Sequence, residues 1–177
     1  MSMRKQLVVA AGVAALAFAA GVAGAQSPKL GTPITQSDLA EWDINILPDG
    51  SNLPPGNGKA AEGGKIYAEK CALCHGDKGQ GGIAARLIGG PPKASLDGGK
   101  TIANYWPYAT TLFDFIRRSM PFTQPRSLTD QEVYALTAFI LAENKLIGGN
   151  DVVDAKTLPA VRMPNRDNFV VQFPDRI

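Results

Sequence analysis

The pentapeptide Cys71-Ala72-Leu73-Cys74-His75 constrains this chain more than any other stretch of its 177 residues. Two thiols flank two residues and an imidazole follows at once, which is the Cys-x-x-Cys-His pattern of covalent haem attachment. The thiols add across the haem vinyl groups, and the histidine is placed to coordinate the iron from one side. Cys71 and Cys74 are the only cysteines and His75 is the only histidine, so no other residues compete for the role. A structural zinc site usually takes four Cys or His ligands, one more than the chain can supply. A thioredoxin-like pair would need a βαβ setting, and the flanking sequence lacks strand-like alternation. A plain disulfide would leave the histidine unexplained. The motif therefore predicts one covalently bound haem c.

Residues 1–25 read as an export signal. Arg4 and Lys5 form a basic start, residues 7–20 are uncharged and apolar, and Ala23-Gly24-Ala25 supplies a small-x-small cleavage site. The competing reading is a retained anchor, since residues 7–25 approach the length that spans a bilayer. That run is mostly alanine and glycine, so cleavage after Ala25 and a periplasmic location are expected, with no stable membrane span once the signal is removed. The leader carries two basic residues and no acidic ones. Without it, 16 Lys and Arg balance 16 Asp and Glu. Nothing in that charge balance suggests nucleic-acid binding.

Residues 26–57 are rich in Pro, Gly, Ser and Asp, interrupted by Trp42, Ile44, Ile46 and Leu47. They read as an extended arm outside the core. Residues 59–70 should form a helix, because Ala60, Gly63, Gly64, Tyr67 and Cys71 fall on one face. Glycine inside a helix costs about 1 kcal/mol relative to alanine, which close approach of a second helix would justify. Residues 76–101, glycine-rich and containing Pro91-Pro92, read as a loop around a prosthetic group. A short helix is expected over 110–119, ended by Met120-Pro121. Thr129 and Glu132 form a capping-box signature for a helix over 129–144. The expected fold class is all-α: a single haem domain over residues 58–147, with an arm before it and a tail over 148–177.

The second axial ligand must come from elsewhere, and the menu for haem iron includes methionine. Beyond the leader there are two, Met120 and Met163. Met120 is favoured, because the loop between the short helix and the capped one can carry its thioether to the far face of the haem. Met163 would need a longer return path, and lysine or an open site are the remaining choices. A thioether raises the reduction potential, and two filled axial positions suit single-electron transfer rather than oxygen or peroxide chemistry. Tyr105, Trp106 and Tyr108 are candidates to line the pocket, against an ordinary role as aromatic core. Arg117 and Arg118 could face a propionate or an acidic partner, although a solvated helix end is the default for such charges.

On these residues the chain resembles class I cytochromes c over about residues 58–147. The resemblance implies a small helical bundle around the haem, with Gly63 and Tyr67 of the first helix crossing the last helix near Tyr134 or Thr137. Many members have a proline after the haem motif whose carbonyl orients the histidine. This chain has Ala84-Ala85-Arg86-Leu87 instead, so another backbone carbonyl must serve. A narrower resemblance rests on Trp106-Pro107-Tyr108-Ala109-Thr110-Thr111-Leu112-Phe113-Asp114, Met120-Pro121-Phe122, Glu132-Val133-Tyr134-Ala135 and Met163-Pro164-Asn165-Arg166-Asp167. These are similar to cytochrome subunits of molybdenum sulfite or sulfane dehydrogenases. That implies an electron-accepting subunit rather than an enzyme in itself, with a molybdenum dehydrogenase as donor and a downstream cytochrome or oxidase as acceptor. The alternatives are a mobile carrier, a subunit of another dehydrogenase such as an alcohol dehydrogenase, or a haem enzyme or gas sensor with a labile distal ligand.

Overall fold

The computed structural model describes residues 30–40, 42–89 and 99–170. The expected leader and Pro91-Pro92 lie outside the described residues. The chain divides into two units, one ending at Trp42 and one spanning Asp43–Ile177. In the first, helix α1 (Gln36–Ala40) starts at Thr35, whose amide and hydroxyl both donate to the Asp38 carboxylate. It buries no residue.

Among its described residues, the second unit is built on five helices and a short antiparallel strand pair. Strand β1 (Asn57–Lys59) runs directly into α2 (Ala60–Lys70), and a one-turn helix, α3 (Ala72–His75), follows. After the loop come α4 (Ile102–Tyr105), α5 (Ala109–Ser119) and α6 (Asp130–Glu143), then β2 (Val152–Asp154) and two single 3₁₀ turns. The three longer helices fall within a residue or so of the spans that the sequence predicts. Among the described residues, no helix is long and apolar enough to cross a membrane.

The crossing of α2 on α6 forms the centre of the fold, and glycine makes it possible. A Cβ on Gly63 would lie 1.9 Å from the Ala135 carbonyl oxygen and 2.8 Å from Phe139 Cβ. One on Gly58 would lie 2.2 Å from the Ala135 amide nitrogen. Tyr67 stacks at a tilt on Phe139, with ring centroids 4.9 Å apart. The residues opposite Gly63 and Tyr67 are thus Ala135 and Phe139, not Tyr134 or Thr137. Tyr134 lies one position round the helix, where it meets Phe113 at 4.5 Å and donates to the Pro54 carbonyl at 2.8 Å. The Thr137 hydroxyl donates back to the Val133 carbonyl.

Within the second unit, parts of the expected arm and tail pack into the core rather than lying outside it. Ile46 belongs to the apolar core, and its amide donates to the Asp114 carboxylate at 3.3 Å. At the other end Val153, Leu158 and Met163 are fully buried in the same core. In the strand ladder Asn57 pairs with Asp154 and Gly58 with Val153, which ties the end of the arm and the start of the domain to the tail. A helical domain of this size needs more apolar partners than its helices provide, and these flanks supply them.

Glu132 joins the first and last long helices. Its carboxylate accepts from the Thr129 amide at 2.8 Å, closing the expected capping box, and from Lys70 Nζ at 3.1 Å. The backbone hydrogen bond from Thr129, ahead of the Lys70 contact, holds its carboxyl below the usual range. A depressed folded-state value stabilises the protein above the unfolded-state value and is lost as pH falls through the folded one. Glu132→Gln should therefore cost about 1 kcal/mol at neutral pH, a typical cap contribution, and the difference from the parent should vanish in acid. Urea unfolding at several pH values measures this, and a deficit that persists at low pH would refute the assignment.

Candidate functional site

The residues of the pentapeptide stay together because α2 hands the chain straight to them. The Cys71 amide donates to the Tyr67 carbonyl at 2.9 Å, and the His75 amide donates to the Cys71 carbonyl at 3.0 Å. Both thiols are unpaired; Cys71 is half-buried and Cys74 is exposed. Burial pushes the Cys71 thiol up to about 11. The Tyr67 hydroxyl donates to the Gly76 carbonyl at 2.8 Å, fixing the residue after the histidine. Burial pushes that hydroxyl up to about 12, so it remains a donor at ordinary pH.

The glycine-rich loop folds back over this turn. The Ala84 amide donates to the Cys74 carbonyl at 2.9 Å and the Gly81 amide to the His75 carbonyl at 2.8 Å. Gly76 and Gly79 take left-handed backbone angles, φ 80° and 67°, which a side chain would disfavour. The return brings the Ala85 carbonyl to 2.7 Å from His75 Nδ1. A carbonyl can only accept, so this bond puts the imidazole proton on Nδ1 and leaves the Nε2 lone pair free for a metal. Ala85 is the substitute carbonyl that the missing proline calls for. Asn144, at the end of α6, holds the far side of the loop, accepting from the Gly89 amide and donating to the Leu87 carbonyl.

Met120 caps the C-terminal end of α5, half-buried against the core, while Met163 is 1% exposed within it. Leu73, Ile83, Phe115 and Phe122, neighbours in sequence of the candidate ligands, all expose large apolar surface. Trp106 is half-buried and meets Phe115 edge-on, with ring centroids 5.6 Å apart. Its two tyrosine neighbours turn to the C-terminal segment. Tyr105 packs on Phe169 at 5.7 Å, and Tyr108 lies under the Arg166 guanidinium at 4.9 Å. Arg117 and Arg118 are committed within the chain, to Asp130 and Asp114 respectively. Neither the Ala85 carbonyl nor the Asn144 clasp has a side-chain signature in sequence, although Asn144 stands where a helix C-cap is expected.

This donor set fits a covalently held haem. Two free thiols precede a histidine whose outer nitrogen is available, and a half-buried thioether sits at a helix end two residues before the exposed Phe122. Among the described residues no group of three or more His, Cys, Asp or Glu is placed to hold a metal ion.

Comparison with known proteins points the same way. Residues 58–140 match the family described as cytochrome c oxidase, cbb3-type, subunit III. A chain of the crystal structure of the sulfane dehydrogenase SoxCD from Paracoccus pantotrophus superposes with a TM-score of 0.75 and 36% identity, covering 85% of this chain and 75% of that one. A thiosulfate dehydrogenase of Stutzerimonas stutzeri is 37% identical over 90 residues, 49% of this chain and 28% of that protein. One from Psychrobacter arcticus is 34% identical over 82 residues, 44% of this chain and 24% of that protein. The chain thus spans about a quarter of the length of these curated relatives.

Proposed function

The chain belongs to the c-type cytochromes and resembles the cytochrome subunit of sulfane dehydrogenase, and from that premise we propose that it is the electron-accepting partner of a periplasmic molybdenum dehydrogenase that oxidises a sulfur compound. It is an electron-transfer haem protein; the periplasmic setting, a single haem, the ligands and the partners are part of the proposal. Cys71 and Cys74 tether the haem, and His75 binds its iron through Nε2. Met120 would supply a second iron ligand, since its thioether stands at the edge of the core while that of Met163 is sealed inside it. When bound, the haem supplies one-electron redox chemistry. Cys71, Cys74, His75 and Met120 would hold it, and catalysis of sulfur chemistry falls to the partner. A downstream cytochrome or oxidase receives the electrons.

The observation that carries this reading is the extent of the SoxCD likeness. It continues through the flanking segments, 85% of this chain, where the curated relatives match about half. The test uses native protein from its host, sized by gel filtration, with haem and molybdenum assayed in each fraction. The expected result is haem and molybdenum together in a larger complex, with the haem reduced on adding sulfite or a sulfane donor. Haem at monomer size without molybdenum would overturn the partner assignment and favour a mobile carrier. The thiosulfate dehydrogenase likeness supports a second reading, in which a polypeptide containing this domain oxidises thiosulfate directly. Reduction of the isolated holoprotein by thiosulfate alone would distinguish it.

A further inference from the structure

Trp106 sits between two residues that the C-terminal segment holds. Tyr105 ends α4, and the chain then turns extended at Trp106 (φ −71°, ψ 134°). Pro107 has no N–H, so the helix cannot continue to satisfy the last carbonyls of α4. Asn165 does so from the tail. Its side chain is almost fully buried, and Nδ2 donates to the Tyr105 carbonyl at 2.6 Å. Its Oδ1 accepts from Asn168 Nδ2 at 2.8 Å. A carboxamide can donate and accept at once, whereas a carboxylate in its place would oppose the carbonyl.

The same segment grips the residues on either side of the tryptophan. Phe169 meets the edge of the Tyr105 ring, Arg166 covers the Tyr108 ring, and Arg162 forms a backbone bridge with Tyr108. Met163, fully buried, anchors the segment in the core. On its other side the indole packs against Phe115 of α5, the helix that ends at Met120. Trp106 is thus clamped through its backbone neighbours by the tail and through its ring by the helix that carries the candidate ligand.

We propose that residues 162–169 form a strap that fixes Trp106 against the haem, with Asn165 as its positioning residue. The inference rests on the haem-protein reading above and extends it to a segment outside the expected cytochrome domain. Loosening the strap lets the indole move and water approach. Solvent access around a metal site controls its reduction potential, and wetting favours the more highly charged ferric state.

The test uses purified holoprotein carrying Trp42→Phe, which leaves Trp106 as the sole tryptophan. Asn165→Asp and Asn168→Ala are compared with this parent by tryptophan emission, midpoint potential and melting temperature. Emission and potential are read well below the melting temperature of each variant. In the parent, Trp106 emission should be strongly quenched by the nearby haem. In Asn165→Asp emission should rise and the potential should fall, and Asn168→Ala should do both more weakly. A lower melting temperature with unchanged quenching and unchanged potential would overturn the inference, reducing Asn165 to a brace for the tail. If Asn165→Asp gives no holoprotein, the exposed Asn168 decides the matter by the same readouts. Bright Trp106 emission in the parent would instead overturn the placement of Trp106 beside the haem.

Discussion

Gly63→Ala should destabilise the protein by at least about 3 kcal/mol, the upper end of what overpacking a close contact usually costs. The added methyl would stand 1.9 Å from the Ala135 carbonyl oxygen, a backbone atom that cannot rotate away. Relief requires α2 and α6 to separate, which also disturbs the Tyr67 stack on Phe139. Single domains are stable by roughly 5–15 kcal/mol, so the loss is a large fraction of the total. Gly63→Val should prevent folding at ordinary temperature. The neighbouring glycine provides the contrast. A Cβ on Gly64 would meet only the Phe139 ring, at 3.4 Å. Gly64→Ala should be neutral or stabilising, since alanine is favoured over glycine in a helix by about 1 kcal/mol. Denaturant midpoints of the two variants measure the difference. Equal tolerance at both positions would contradict the crossing described here.

The second large effect belongs to Met120. Met120→Ala should abolish the long-wavelength charge-transfer band of the ferric protein and open the ferrous iron to carbon monoxide. The midpoint potential should fall by an appreciable part of the roughly 0.8 V over which axial ligands set haem potentials. Met163→Leu should leave the spectrum and potential nearly as they were. It exchanges two buried apolar side chains of similar volume, a swap that usually costs less than about 1.5 kcal/mol. The opposite pattern, with the band lost in Met163→Leu and kept in Met120→Ala, would exchange the roles of the two methionines. Loss in neither would exclude methionine ligation altogether.

What the sequence revealed follows from how local its signals are. The helices over 60–70, 109–119 and 130–143 were legible because caps, apolar spacing and Met120-Pro121 mark them within a few residues. The Thr129–Glu132 box formed as its pattern required. Gly63 was legible as a close approach, but the partner was misplaced by one position round α6, because spacing on one helix does not set the rotation of the other. The core residues within the expected arm and tail were missed for a different reason. Ile46 is one buried side chain in a stretch rich in turn residues, and β1 and β2 are three residues each, too short for alternation to register. Their pairing joins positions far apart in the chain. The loop's support for His75 was illegible in detail because it comes from a main-chain carbonyl, and any residue at position 85 would carry one.

The strand pair also imposes an order in time. Gly58 and Val153 are 95 positions apart, and the entropy of closing so long a loop must be overcome before the contact rewards it. The turns of α2 and α6 close between near neighbours in the chain and do not wait for it. The strand pair is therefore among the last contacts of the domain to form, and the foot of α2 stays open until it does.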